Sequence, residues 1–200
     1  MTEVIEAKAV SSAASVDGCA ATADGRTGNV AAGRTGDAAV SKTACAAEVS
    51  KPVIEMASGP NSMTERATLK AQADSLHRQG YNCAQAVICT LAPQLGIDAD
   101  AAFRLAEGFG AGMGGMSETC GAISGAIMAA GQATSAGTAD PTSKGRTYQL
   151  SREIVRLFRE KNGSTICREL KGIGSGAGPL RTCPGCIDDA IDIALDVLAR

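Results

Sequence analysis

An all-α fold is predicted from three observations. Apolar residues recur at helical spacings from residue 62 onward, a capping residue precedes most of these runs, and no segment shows the apolar–polar alternation of a half-buried strand. The helices are expected to form one compact multi-helix domain over residues 62–200, behind a disordered low-complexity tail over 1–61. Residues 1–60 are mostly Ala, Gly, Ser, Thr and Asp and hold no aromatic side chain. They carry too little apolar surface to offset the entropy of ordering. The rest of the chain contains every Tyr and Phe, enough for one core.

Ser62-Met63-Thr64-Glu65 reads as a capping box opening a helix to about Gln79, with Gly80 as its stop. Asn82 is a good N-cap for a second helix, Cys83-Ala84-Gln85-Ala86-Val87-Ile88, which runs to the region of Pro93. A third helix starts at Asp98 or Asp100 and is broken after Glu107 by the glycine stretch from Gly108 to Gly115. Thr119 is expected to cap a fourth, from Cys120 to about Gln132, whose Gly121 and Gly125 admit a close neighbour. From Asp140 to Asn162 the pattern predicts a longer amphipathic helix, with Leu150, Ile154, Leu157 and Phe158 inward and Arg152, Arg156 and Arg159 outward. Gly163 ends it, and Ser164 is expected to cap a short helix carrying Cys167 and Leu170. After the link from Gly172 to Gly178, Thr182 opens the last helix, with Cys183 and Pro184 in its first turn.

The formal net charge is −2, with both signs interspersed, so neither nucleic acid nor an anionic membrane is an expected partner. The start, MTEVIEAKAV, lacks the basic, apolar pattern of a secretory signal, and no apolar run approaches the roughly 18 residues of a membrane span. A cytoplasmic location is expected. There, the eight cysteines point to metal ligation or redox turnover more than to a static disulfide framework. His77 is the single histidine, which excludes a two-cysteine, two-histidine zinc finger. Attached c-type haem is excluded as well, because Ile187 follows Cys183-Pro184-Gly185-Cys186 where that chemistry needs His.

The predicted boundaries put Cys83, Cys120, Cys167 and Cys183 in the first turns of four helices. Free amides and the partial positive charge of a helix start favour thiolate, the form that binds metal or attacks disulfides. Arg168 and Arg181, beside Cys167 and Cys183, are expected to add to this effect. Cys183 and Cys186 form a CxxC pair suited to a reversible dithiol or to two ligands of one metal. Cys89, six residues after Cys83, reads as core, and Cys19 and Cys45 as exposed thiols of the tail. Gly110, Gly112 and Gly115 spell G-x-G-x-x-G, but the loop follows a helix and no βαβ unit surrounds it, so a dinucleotide site is not expected. Its expected role is a close turn beside Cys120, offering backbone amides to a negatively charged group. Met113 and Met116 are expected to fill packing gaps, Glu107 and Glu118 to be solvated, and His77 to lie on the surface.

These residues resemble the family of redox-active proteins named for the cysteine pattern C_GCAxxG_C_C. Gly80-Tyr81-Asn82-Cys83-Ala84-Gln85-Ala86-Val87 is similar to its first cysteine segment. Gly108 to Met113 through Thr119-Cys120-Gly121-Ala122-Ile123-Ser124-Gly125-Ala126 is similar to the second. Asn162-Gly163-Ser164 with Cys167-Arg168-Glu169-Leu170 resembles the third, and Cys183-Pro184 leading into Asp189-Ala190 the last. The resemblance covers about 65–199 and implies a compact helical domain. It also implies kinship with the non-haem domain of split-Soret cytochromes, where an iron–sulfur centre accompanies the haems. Cys89 and Cys186 are additions to the pattern.

The expected function is electron transfer through an iron–sulfur or other thiolate-bound metal centre on Cys83, Cys120, Cys167 and Cys183, with Cys186 as a further metal ligand. One alternative is a thiol–disulfide oxidoreductase with Cys183 and Cys186 as its catalytic pair. Another is a non-catalytic structural zinc site. A redox partner protein is expected, and a homo-oligomer is open.

Overall fold

The computed structural model describes residues 62–200; the expected tail, with Cys19 and Cys45, lies outside the described residues. These residues hold seven α-helices and no strand: α1 (Met63–Arg78), α2 (Cys83–Leu95), α3 (Ala99–Ala106), α4 (Gly121–Thr134), α5 (Lys144–Asn162), α6 (Cys167–Leu170) and α7 (Cys183–Leu198). The all-α expectation is met, and its local causes are visible. Ser62 and Glu65 close the capping box of α1. Asn82 accepts from the Ala84 and Gln85 amides at 2.9 and 3.0 Å, and Asp98 caps α3. Pro93 sits inside α2 without ending it. No helix among the described residues is long and apolar enough to cross a membrane.

Three helix starts differ from expectation. Cys120, not Thr119, occupies the N-cap position of α4, because Thr119 is drawn into an isolated antiparallel bridge with Ile166. The α5 helix begins at Lys144 rather than Asp140, since the Asp140 side chain instead closes a local turn onto the Thr142 amide at 2.9 Å. Ser164 does not cap α6. Its hydroxyl accepts from the Ile166 amide and donates to the Glu169 carboxylate, bracing the loop just before the helix.

The α4 helix is the centre of the domain, packed by α2, α5 and α7. Its small residues make this possible: a Cβ on Gly125 would lie 2.7 Å from the Ala84 carbonyl oxygen and 2.9 Å from Val87 Cβ. Helix α2 therefore rests on α4 backbone to backbone. Around this contact, Ile88, Leu91, Ile123, Ile154, Phe158, Ile187 and Ile191 are all fully buried, and burial of such side chains is the main source of stability. The consequence for the site is directional. Helices α2, α4 and α7 bring their N-terminal ends to one side of the core, where α6 and the glycine loop meet them.

Candidate functional site

Cys83, Cys167 and Cys183 are the first residues of α2, α6 and α7, Cys120 sits at the N-cap of α4, and Cys186 lies one turn into α7. All five line a single cavity of ≈ 170 Å³, together with His77, Asn82, Ala111, Leu170, Lys171 and Arg181. Every candidate cysteine of the sequence is thus brought to one place. Cys89 does not line this cavity; it packs against the core. Cys183 is half-buried, whereas the other four lining cysteines are buried.

The thiols lie close together. Cys120 interacts with Cys83 on one side and Cys186 on the other, while Cys167 is within electrostatic reach of Cys83 and Cys183. The interaction with Cys120, reinforced by burial, pushes the Cys83 thiol far above the ordinary thiol range. Cys120 is pushed up to about 12, led by its interaction with Cys186. Burial also raises Cys167, against the opposing charge of Lys171. These directions correct the expectation that helix starts would favour thiolate here. The backbone amides do contribute, from Ala111 to Cys83 and from Ala122 to Cys120, each lowering the pKa. Burial and thiol proximity outweigh them, because a dry, crowded pocket penalises each new negative charge.

Two glycines set the approach of the walls. A Cβ on Gly121 would fall 2.6 Å from Cys83 Sγ, and one on Gly112 2.6 Å from Cys167 Cβ. The glycine loop therefore borders Cys167 as well as the start of α4. It reaches this position through left-handed backbone at Ala111, Gly112, Met113 and Gly114, and at the two non-glycine residues that conformation is strained. Backbone bonds then tie the walls together: the Cys120 amide donates to Thr165 O at 2.8 Å and the Cys167 amide to Glu118 O at 2.9 Å.

The charged rim also departs from expectation. Arg168 does not line the cavity. Arg181 does, but its guanidinium is held by the buried Asp189 carboxylate at 2.9 Å, which Lys161 also pairs at 2.7 Å. The cation that faces the sulfurs is Lys171. It lies beside Cys183, whose charge is the chief reason its ammonium is held above the usual lysine range. A sequence signal for it existed: Lys171 stands four residues after Cys167, one helical turn along the same face. His77, expected on the surface, is half-buried and lines the cavity from the end of α1. Met113 and Met116, expected to pack, are exposed.

The donor set fits a sulfur-ligated group: five thiols and one imidazole line the cavity, and thiolate is the preferred ligand of iron–sulfur clusters and structural zinc. Among the described residues, however, no three His, Cys, Asp or Glu side chains form a group that could hold a metal ion as they stand.

A family model described as "Putative redox-active protein (C_GCAxxG_C_C)" matches residues 81–197 of the chain, from just before α2 almost to the end of α7. No curated protein and no solved structure matches it.

Proposed function

The chain belongs to the C_GCAxxG_C_C family of redox-active proteins, and on that premise we propose that it transfers electrons through a thiolate-bound iron–sulfur centre held by Cys83, Cys120, Cys167 and Cys183, with Cys186 as a further ligand. The observation that carries this is the convergence of five cysteines from four helices on one cavity. Cysteines that merely fill a core pack without a void. Here ≈ 170 Å³ stays open between them, on the order of ten times the ~10–15 Å³ that one water needs. When bound, the cluster supplies one-electron chemistry at a potential set by burial and by hydrogen bonds to sulfur.

The chain's own residues would tune that potential. The Ala111 and Ala122 amides are aimed at the Cys83 and Cys120 sulfurs, and the Lys171 ammonium at Cys183. Each favours added negative charge and so the reduced state. Leu170 and the core beneath the site keep water from it. Cys120 would have to part from its two thiol neighbours to serve as a ligand, as would Cys83 and Cys186.

That proximity favours a second reading, thiol–disulfide exchange. Cys183, half-buried where Cys186 is buried, is the more accessible thiol of the CxxC pair and would attack a partner disulfide. Cys186, one turn further on, would then resolve the mixed disulfide. One S–S bond forms between Cys183 and Cys186, and the two electrons and two protons end on the partner as two thiols. Cys120, beside Cys186, would extend the relay inward.

Anaerobic purification followed by visible absorption, iron, sulfide and zinc analysis, with a thiol count before and after mild oxidation, separates these. Colour with iron and sulfide supports the cluster. A colourless chain losing two thiols supports the dithiol, and stoichiometric, inert zinc would sink both.

A further inference from the structure

On the other side of the glycine loop lies a larger cavity of ≈ 580 Å³, well inside the ~300–1,000 Å³ range of small-molecule sites. Its walls are apolar side chains of several elements, among them Ile88, Ile97, Ala102, Leu105 and Met128. Phe109 and Tyr148, drawn from segments far apart in sequence, stand at it with 37% and 56% of their surfaces exposed. Solvent-exposed rings on an apolar cavity are suited to stack on a flat ligand. The polar groups there include donors. Ser143 Oγ already accepts from the Ala136 amide, which leaves its hydroxyl proton free, and Lys144 forms no ion pair among the described residues. Donors of this kind suit carbonyl oxygens.

The cavity is also close to the cysteines. Phe109 lines it, Ala111 lines the cysteine cavity, and buried Gly110 between them packs on Asn82. The Phe109 carbonyl oxygen and Cys83 Sγ crowd the same point, each 2.6 Å from where a Cβ on Gly121 would stand.

We propose that this cavity binds a planar, largely apolar aromatic dicarbonyl compound of the quinone class, placed to exchange electrons with the cysteine cavity. The binding half stands on the cavity alone; the exchange half rests on the thiol–disulfide reading given above. For exchange with thiols, two cysteines lose two electrons and two protons and form one S–S bond. The quinone takes up both electrons and both protons, one proton on each carbonyl oxygen, and becomes the hydroquinone.

The test uses 2,3-dimethyl-1,4-naphthoquinone, whose quinone ring has no free position for thiol addition, with the oxidised full chain in equilibrium dialysis. Saturable one-to-one binding is expected. Tyr148→Ala, at an exposed position that leaves the core intact, should weaken it about fivefold to tenfold, and Gly131→Phe, which fills the cavity, should abolish it. The hydrocarbon 2,3-dimethylnaphthalene should bind at least about tenfold more weakly, for want of the two carbonyl acceptors. Absent or non-saturable binding, or equal affinity in Tyr148→Ala, overturns the site, and equal binding of the hydrocarbon overturns the quinone class. The reduced chain, freed of excess reductant, should convert bound quinone to hydroquinone, and Cys186→Ser should stop this while dialysis binding persists. Binding without any hydroquinone overturns the exchange half and, separately, counts against the thiol–disulfide reading of the cysteines.

Discussion

Cys83 Sγ lies 2.6 Å from the point where Gly121 would carry a Cβ, and the Phe109 carbonyl oxygen lies equally close. Two rigid neighbours, a helix-start thiol and a backbone oxygen, thus occupy the space any other residue would need. Gly121→Ala is expected to cost about 2–3 kcal/mol through overpacking, lowering the midpoint of thermal unfolding by several degrees, and to displace Cys83 from Cys120. Thermal melts with a thiol-accessibility count check this. A variant as stable as the parent would mean that the start of α2 is free to move.

Asn82 performs two tasks at the same position. Its side-chain oxygen caps α2 and its Nδ2 donates to Glu107 O at 2.9 Å, joining the helix that carries Cys83 to the end of α3. Asn82→Ala should lose about 1–2 kcal/mol. Asn82→Ser keeps the cap and loses only the tie to Glu107, so denaturant titration should place it between the parent and the alanine variant.

Alkaline pH is expected to destabilise the reduced, metal-free chain. Cys120 moves from an ordinary 9.0 to about 12 on folding, and Cys83 and Cys167 move in the same direction. A thiol with a raised folded pKa holds its proton more tightly when folded. The stability it contributes is complete below pH 9 and is lost as pH rises toward about 12. Each such thiol should cost up to about 1.4 kcal/mol per pH unit in that window. Urea titrations at pH 8, 9 and 10 measure the slope. A chain whose thiolates are already bound to metal should not show it, since those thiolates carry no proton to lose.

Thr90 is completely buried on α2, and its hydroxyl finds no hydrogen-bond partner. Thr90→Val keeps the shape and removes the orphaned group, so stability should rise by about 1 kcal/mol. A loss of stability in urea unfolding would show that the hydroxyl is satisfied in solution.

Much of the fold was legible because its signals are short-range. The Ser62–Glu65 box, the Asn82, Asp98 and Thr182 caps and the periodicity of Leu150, Ile154 and Phe158 act within a few residues, and each helix they announce is present. At two places where expectation failed, a partner outside the local window had intervened. Thr119 was taken from its cap by Ile166, 47 residues on, and Arg181 from the thiols by Asp189.

The same division applies to the site. From sequence alone came the identity of the cysteines, their places at or next to helix starts, and the family whose pattern they follow. The tertiary structure decided that Cys120 stands between Cys83 and Cys186, that Lys171 faces Cys183, and that Cys83, Cys120 and Cys167 hold their protons. Caps and periodicity are set by neighbours along the chain. Thiol proximity and desolvation are set by which helices the core presses together, and that depends on Gly121 and Gly125 letting α2 lie against α4.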